Sequence, residues 1–223
     1  MPIETKKILL PHIIICEGDD DLHFLIWLFK KLRVENGIFD EFQIFPADGN
    51  NKLHAKLESL TRLPGFDDHQ NVVASITVIF DAEQDSAAMA HKIKNAFCKN
   101  GFAEPSAACT VSSNADVRHP KVKTGFALFP DCDEVMEPGT LEEMCLKSLA
   151  KENSQEILSS VDCALEKFKS QLPRIHKNRL HTYFSLTDEY VSKTIGQAAQ
   201  SNAFHADVPA IDSLKAFLIK MHG

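Results

Sequence analysis

The sequence predicts an α/β fold, in which a mostly parallel sheet is flanked by helices and followed by a helical C-terminal extension. Three observations support this prediction. Apolar runs rich in β-branched residues alternate with helical patterns over residues 1–138. Two of these runs, residues 13–16 and 72–80, end in clusters of acidic residues, and beyond Gly139 the helical patterns dominate. We therefore expect a single domain over residues 1–223, with a sheet core at 1–138 and a helical extension at 139–223 packed on it.

The predicted elements of the sheet core follow the order β-α-β-α-β-α-β. Strands are expected at about residues 13–16, 42–45, 72–80 and 125–129, where apolar runs end in proline or acidic residues. Helices are expected at about 20–33, from about 53 to 63, and from a cap at Ser86 to about 100. In the first helix, Leu22, Leu25, Ile26 and Phe29 recur at the spacing of one buried stripe.

The helical extension begins with a capping box, in which Thr140 is the cap and Glu143 its reciprocal partner. Three further helical patterns follow at about residues 155–171, 187–200 and 212–221. No low-complexity linker separates these patterns from the sheet core, so we expect the two parts to form one unit.

The composition is that of an ordinary globular protein, with 44% hydrophobic and 25% charged residues. The apolar run at residues 8–16 is too short to cross a membrane and is interrupted by Pro11 and His12. The six cysteines are scattered without a C-x-x-C pair, which argues against a disulfide framework and against zinc ligation, and favours a reducing cytoplasm. The net charge of −7 argues against a surface coated for nucleic acid but leaves room for a local basic groove.

Glu17 and Asp21 lie at the first predicted strand–helix junction, in the segment Glu17-Gly18-Asp19-Asp20-Asp21. Acidic residues favour helix N-termini because they complement the helix dipole, which explains Asp19 and Asp20 well. The dipole explains Glu17 poorly, since Glu17 extends directly from the buried strand. A functional role is therefore favoured for Glu17, and both interpretations stay open for Asp21.

Asp81, Glu83 and Asp85 alternate directly after the most apolar strand. An acidic turn is the ordinary explanation. In an extended segment, however, residues at i, i+2 and i+4 lie on one side, and crowding carboxylates there costs electrostatic repulsion. A functional role is favoured for Asp81 and Glu83, whereas Asp85 can also serve to start the next helix.

Both acidic clusters are expected at the same edge of the sheet. The carboxyl ends of parallel strands meet there, and open α/β proteins bind their ligands at that edge. Gathered carboxylates repel one another unless a cation neutralises them, and hard oxygen ligands suit Mg²⁺ or Mn²⁺ better than zinc. The sequence therefore predicts a divalent-metal site.

The order of the motifs also shows a family resemblance. E-G-x-x-D at residues 17–21 and D-x-E-x-D at residues 81–85 resemble the TOPRIM domain of topoisomerases, primases and OLD-family nucleases. Segments at 125–131, 139–142, 177–181, 195–199 and 214–218 are similar to small stand-alone TOPRIM-related proteins allied to the OLD nucleases. The resemblance spans about residues 13–221 and implies a Rossmann-like sheet and nuclease chemistry with Mg²⁺ or Mn²⁺.

The resemblance implies a role for each matched residue. Glu17 would ligate metal and act as general acid or base, and Asp81 would be a ligand with a catalytic role. Glu83 stands where the commonest form of the motif has a second aspartate, which alters the expected coordination geometry. Asp21, Asp85 and Glu142 match further acidic, metal-ligating residues. Two ions about 4 Å apart can bridge a phosphate and promote its hydrolysis.

A nuclease also needs positive charge to hold the nucleic-acid backbone. Candidates are Lys30, Lys31 and Arg33 on the first helix, together with residues 118–123 and 174–181, although each group is also typical of a solvated face. Lys177 is predicted to stabilise charge in the transition state. The loop at residues 48–52 is expected near the site as a turn, whose backbone amides can also meet a phosphate.

We expect metal-dependent cleavage of DNA or RNA, in defence or repair. The chain has no G-x-x-x-x-G-K-[ST] motif, so any ATPase would be a separate partner. One alternative is a TOPRIM-like module that binds metal and nucleic acid or nucleotide without catalysis. The other is a phosphatase or phosphotransfer domain, which the lack of a convincing Ser/Thr at further strand ends disfavours.

Overall fold

A computed structural model of the chain describes residues 7–33, 37–68, 71–150, 152–168 and 175–223. The strands are β1 (His12–Cys16), β2 (Phe42–Pro46), β3 (Asp67–Asp68), β4 (Asn71–Val72), β5 (Ser75–Asp81) and β6 (Lys123–Phe129). The α-helices are α1 (Asp19–Leu32), α2 (Leu53–Leu60), α3 (Ser86–Lys99), α4 (Leu141–Lys147), α5 (Ser154–Glu166), α6 (Ile175–Ser185), α7 (Ile195–Gln200) and α8 (Pro209–His222). Short 3₁₀ helices cover Gly37–Glu41 and Asn50–Lys52.

The four long strands form one sheet in the order β2-β1-β5-β6, and all neighbouring pairs are parallel. This arrangement confirms the predicted α/β class and the Rossmann-like parallel sheet flanked by helices. The chain goes from β1 to β2 on one side and returns to place β5 on the other. Between β1 and β5 the sheet therefore has a topological switch point, and ligands of open α/β proteins bind in the crevice there.

The sheet is the centre of the hydrophobic core. Every residue of β1 and the first six residues of β5 are buried, as expected for strands covered by helices on both faces. Helix α1 buries most of its side chains, including Phe24 and Trp27, and both rings pack against Phe204 of the helical extension. The core is thus continuous from the sheet to the extension.

In the first half of the chain, several predicted element boundaries lie close to the observed ones, and two need correction. The predicted strand at 72–80 is two elements, because Asn71–Val72 pairs antiparallel with Asp67–Asp68 and the buried strand starts only at Ser75. The cap of α3 is Asp85 rather than Ser86, because the Asp85 carboxylate accepts a hydrogen bond from the Ala88 N–H at 2.8 Å.

The helical extension departs further from the prediction. Residues 187–200 are not one helix, since α7 starts only at Ile195, after a turn in which Ser192 has a φ of 61°. Helix α6 was not predicted, although it buries Leu180, Tyr183 and Phe184. The end predicted for α5 at residue 171, and the basic candidate Arg174, lie outside the described residues.

Helix α7 packs closely on α1. A Cβ atom added at Gly196 would lie 2.2 Å from the Cβ of His23, so no side chain fits at this crossing. Helix α8, which also belongs to the helical extension, contacts β5 and β6 of the sheet. The helical extension therefore packs on α1, β5 and β6, each of which has one end at the carboxyl edge of the sheet.

The amino edge of the sheet holds a buried histidine. The Nδ1 atom of His12 lies 2.8 Å from the hydroxyl oxygen of Ser75, its register partner on β5. Burial, with a smaller effect of His222, lowers the pKa of His12 to about 4. The imidazole is therefore neutral at pH 7.

All six cysteines are free. Among the residues that the structure describes, none of the helices combines the length and the apolar character that a membrane crossing requires.

Candidate metal centre

Three predicted site residues meet at the switch point of the sheet. Glu17 directly follows β1, Asp81 ends β5, and Glu83 comes two residues later. Each of them offers a carboxylate oxygen, and these three oxygens all lie within 4.8 Å of one another. Because β1 and β5 are parallel neighbours, residues far apart in sequence converge at one edge.

The Glu17 carboxylate is half-buried and only partly satisfied by the protein. Its Oε1 accepts a hydrogen bond from the Asn50 side-chain amide at 3.3 Å, whereas its Oε2 is buried without a hydrogen-bond partner. The Gly49 N–H donates to the backbone carbonyl of Glu17 at 2.9 Å, which fixes the loop after β2 beside it. A buried carboxylate oxygen without a donor is a ready ligand for a cation.

Asp21 lies in the first turn of α1 and is 8% exposed. Its Oδ2 accepts a hydrogen bond from the Gly18 N–H at 3.1 Å, which closes the N-terminus of the helix. Its Oδ1 is buried and has no hydrogen-bond partner. Asp21 therefore has the structural role expected at a helix N-terminus, and its second oxygen has no hydrogen-bond partner, so the functional role stays a prediction.

Asp81 and Glu83 are fixed by the segment that leads into α4. The Leu141 N–H donates to Oδ1 of Asp81 at 2.8 Å. The backbone of Glu83 exchanges two hydrogen bonds of 2.8 Å with Gly139, and Glu83 has a φ of 58°. Left-handed backbone at a non-glycine residue persists only where the surroundings enforce it, and it clusters at functional sites.

Glu142 adds a fifth carboxylate to this region, and Lys177 accompanies it. Glu142 is 6% exposed, and Nζ of Lys177 lies 3.3 Å from its Oε1. Helix α6 contacts α4, which is how the extension brings Lys177 to the site. The cation of Lys177 therefore offsets the charge of this one buried carboxylate.

The crowding changes the proton affinity of the buried acids. Burial, and then the charge of Glu17, raise the pKa of Asp21 to about 7. Burial raises the pKa of Asp81 well above its usual value, with Asp21 and Glu142 adding to the rise. Burial and Glu83 also raise the pKa of Glu17. Without a cation, the site is therefore an arrangement of carboxylates that resist full ionisation.

Two adjoining cavities open onto these carboxylates, with volumes of about 440 and 420 Å³. Both are lined by Asp81, Glu83, Glu142 and Lys177. The second cavity also reaches Glu17, Asp21 and the loop residues Asp48 and Gly49. The site is therefore accessible to a ligand of small-molecule size, and its walls are mainly acidic.

The structure does not bring Asp85 into this group. Its side chain caps α3, which gives the carboxylate a structural role. The reciprocal bond of the predicted capping box is present at α4, where the Thr140 N–H donates to Oε2 of Glu143 at 3.0 Å. Glu143 thus has the capping role expected of it.

Two of the predicted basic groups lie away from the site. Lys30, Lys31 and Arg33 are at the far end of α1, about 20 Å along the helix from its first turn. Residues 118–123 lead into the amino end of β6, at the opposite edge of the sheet. Of the groups proposed from sequence, Lys177 is the cation that lies at the carboxylates.

The sequence analysis placed the loop that contains Asn50 near the site, but it missed the role of the Asn50 side chain and missed Lys92. The Lys92 ammonium on α3 donates to Oδ1 of Asn50 and to Oδ1 of Asn51, both at 2.6 Å, and Asn50 in turn donates to Glu17. The sequence carries no signal that singles out Lys92, because it is one of three lysines in α3. Lys92 lies two turns into α3, seven residues after Asp85, and it reaches the site through its contacts with the loop after β2.

The donor set fits a hard divalent cation. It consists of carboxylate oxygens of Glu17, Asp81 and Glu83 at neighbouring strand ends. One oxygen of Glu17, and one of Asp21 on α1, are buried without a hydrogen-bond partner. Mg²⁺ and Mn²⁺ prefer such oxygen ligands, and the longer arm of Glu83 can adjust to the octahedral geometry that Mg²⁺ demands.

Comparison with known proteins assigns a family but no activity. No curated protein and no solved structure shows a significant match. Residues 11–222 match the model of a family described as "Protein of unknown function (DUF3226)", and the chain therefore belongs to this family.

Proposed function

We propose that this member of the DUF3226 family is a TOPRIM-like enzyme that hydrolyses phosphodiester bonds of nucleic acid with Mg²⁺ or Mn²⁺. The observation that carries the proposal is the convergence of Glu17, Asp81 and Glu83 at the switch point of a parallel sheet. The unpartnered oxygens of Glu17 and Asp21 support it, because a purely structural cluster has no reason to leave buried carboxylates unpaired.

The residues divide into ligands, a base and cationic groups. Glu17, Asp81 and Glu83 would hold the cation. Asp21 and Glu142 lie nearby and would help to hold a second cation. Such ions polarise a phosphoryl oxygen and lower the pKa of water. Glu17, with one oxygen that has no hydrogen-bond partner, is placed to accept a proton from the attacking water.

Lys177 and Lys92 supply positive charge at the two sides of the site. Lys177 lines both cavities and can approach a phosphate there, at the expense of its contact with Glu142. Lys92 acts through Asn50, which orients the Glu17 carboxylate. Lys177 would stabilise charge that develops on the phosphate, and Lys92 would hold Glu17 in position.

A second candidate function follows from the walls of the cavities. They carry many carboxylates and, among the lining residues, Lys177 is the cation that both cavities share. Such a surface favours a short or single nucleotide over a long nucleic-acid backbone, since backbone binding depends on phosphate neutralisation. A module that binds metal and nucleotide without cleavage would have the same geometry.

A cleavage assay tests the proposal. Purified protein is incubated with single-stranded DNA, duplex DNA and RNA in Mg²⁺, Mn²⁺ or EDTA. We expect metal-dependent cleavage, which Glu17→Gln and Asp81→Asn each reduce by roughly 10³-fold, about 4 kcal/mol of transition-state stabilisation. Glu58→Gln and Asp40→Asn make the same chemical changes in exposed ion pairs and should leave the rate unchanged.

The outcomes separate the two functions. Cleavage that survives Glu17→Gln and Asp81→Asn in full would contradict the proposal, since it would come from a contaminant or another site. Metal-dependent binding of a nucleotide without cleavage of any substrate would favour the binding module. Circular dichroism of each variant verifies that a lost activity does not reflect unfolding.

A further inference from the structure

A second group of ligand-type side chains lies at the amino edge of the sheet, opposite the acidic site. It consists of His12 at the start of β1, Glu41 directly before β2, and His222 at the end of α8. Each offers one ligating atom, and these atoms lie within 4.8 Å of one another. The sheet and the last described helix thus meet at two imidazoles and a carboxylate.

The contacts within this group are close but incomplete. Nε2 of His222 lies 3.3 Å from Oε2 of Glu41, yet this nitrogen is buried and makes no hydrogen bond. The rings of His12 and His222 are 4.7 Å apart between centroids and are tilted by 35°. An ion pair between His222 and Glu41 would explain their proximity, but it does not explain why a second imidazole faces the first.

His12 is oriented as metal-ligating histidines are. Its Nδ1 is engaged with the buried hydroxyl of Ser75 at 2.8 Å, which fixes the ring and leaves Nε2 for a ligand. Histidines that bind metals almost always have their other nitrogen held by a hydrogen-bonding partner in this way. Ser75 comes from the strand beside β1, so the orientation is built into the sheet.

We infer that His12, Glu41 and His222 form a second metal site, which binds a zinc-class transition metal through two imidazole nitrogens and one carboxylate oxygen. Imidazole ligands select zinc over Mg²⁺, which prefers oxygen. Bonds of about 2.0–2.1 Å bring tetrahedral ligands to roughly 3.3 Å from one another, so the widest separation in the group must shrink by at most about 1.5 Å. Glu41 is exposed and His222 is partly exposed, so their side chains can make this adjustment.

Such a site would join α8 to the sheet. Two ligands belong to the sheet and its preceding 3₁₀ helix, whereas His222 belongs to α8, whose buried face packs on β5 and β6. Zinc would bind the native state and would bind the unfolded chain poorly, because unfolding separates the three ligands. We therefore expect zinc to raise the midpoint of thermal unfolding by roughly 5–10 °C at 100-fold excess over Kd.

The test is a zinc titration of the full chain in millimolar Mg²⁺, which occupies the acidic site. Calorimetry should detect one zinc site, and Co²⁺ in its place should give the intense visible absorption of a four-coordinate ion. His222→Gln and Glu41→Gln should each weaken zinc binding at least about 10-fold and remove most of the thermal shift. Both variants change exposed or partly exposed side chains, and so they should fold.

His205→Gln is the matched control. His205 also lies beside a carboxylate, with Nδ1 at 3.7 Å from Asp207, but the pair is exposed and, among the described residues, no further ligand-type side chain joins it. Zinc binding should be unchanged in His205→Gln. The inference is overturned if zinc does not bind in the presence of Mg²⁺, if His222→Gln binds it as the unaltered chain does, or if only Glu17→Gln removes the binding.

Discussion

Both edges of the central sheet carry side chains that can ligate cations, but the electrostatic surroundings of these side chains differ between the two edges. At the carboxyl edge, Glu17, Asp21 and Asp81 crowd together, and burial raises the pKa of each. At the amino edge, His12 is neutral at pH 7 and is hydrogen-bonded to Ser75. Charge repulsion therefore opposes folding at the first edge and is absent from the second.

The difference follows from the topology. In a parallel sheet with short connections, strand ends and helix starts meet at the carboxyl edge, where the dipole of α1 favours acidic residues. This arrangement concentrates like charges, which the helix dipole offsets only in part. A cation would remove the conflict, and the following predictions test whether the carboxyl edge is built around one.

The largest effect is expected from Mg²⁺. At pH 8 and 100–1000 times Kd, Mg²⁺ should raise the free energy of unfolding by about 3–4 kcal/mol. At pH 5 the gain should be much smaller, because protons occupy the same carboxylates. Urea denaturation at the two pH values, with and without Mg²⁺, measures the difference, and an equal gain at both would contradict the prediction.

For the metal-free protein, the direction in which stability changes with pH follows from Asp21. Its pKa in the native state is about 7, above the usual value of 3.8. Between those two values the native state binds more protons than the unfolded chain, so the contribution of this group to stability is complete at low pH and is lost as pH rises through about 7. The pKa values of Glu17 and Asp81 are also raised, so these two groups should add to this dependence.

The next largest effect is expected from a substitution that stabilises the metal-free protein. Asp21→Asn removes a buried charge but keeps an oxygen for the Gly18 N–H. We expect it to raise the free energy of unfolding of the metal-free protein at pH 8 by about 2–3 kcal/mol, and to flatten the pH dependence. Urea denaturation measures both, with Asp40→Asn as the control at an exposed ion pair. A loss of stability would mean that the Asp21 charge is compensated in the fold.

A smaller effect is expected at Lys177. Lys177→Met should lower the rate of metal-dependent cleavage by about 10–30-fold, or roughly 1.4–2 kcal/mol, because it removes a cation from both cavities. Lys177→Arg should restore part of the rate. Lys31→Met, which removes a lysine at the far end of α1, should have no effect on single-turnover cleavage. Equal rates for Lys177→Met and Lys31→Met would remove Lys177 from the mechanism.

The smallest effect separates capping from metal binding at Asp85. Asp85→Ala should lower the free energy of unfolding by about 1 kcal/mol, because the Ala88 N–H loses its partner, while cleavage stays within about twofold. Asp85→Ser should retain most of the stability, since serine also caps helices. If cleavage instead falls as far as in Asp81→Asn, the metal-ligating role expected from sequence is correct.

The sheet could be predicted because its strands are covered on both faces. Buried parallel strands have continuous apolar sequences, so β1, β5 and β6 were recognisable, and the residues after β1 and β5 had to emerge at one edge. The convergence of Glu17 with Asp81 then depended only on β1 and β5 being neighbours. Whether these residues bind a metal stays a prediction.

The helical extension was harder to predict because some of its helices are short and because its helices share one hydrophobic core with the sheet. Helix α6 contributes Leu180, Tyr183 and Phe184 to a core built mainly by other elements, and the rest of its sequence, apart from Ile175, is polar. Thr187 resembles a helix start, but its hydroxyl donates to the Tyr183 carbonyl at 2.9 Å and closes α6 instead. Likewise, the link from Lys92 through Asn50 to Glu17 depends on the packing of α3 beside the loop after β2.

The crossing of α1 and α7 at Gly196 affects how the chain can be divided for experiments. Gly196 lies against His23, two residues beyond Asp21, so α7 supports the turn of α1 that holds the acid. A fragment that ends at residue 138 would keep every strand but lose this support, together with Leu141, Glu142 and Lys177. Shortened versions of the chain should therefore retain α7, because the inactivity of a fragment without it would not test the activity of the whole chain.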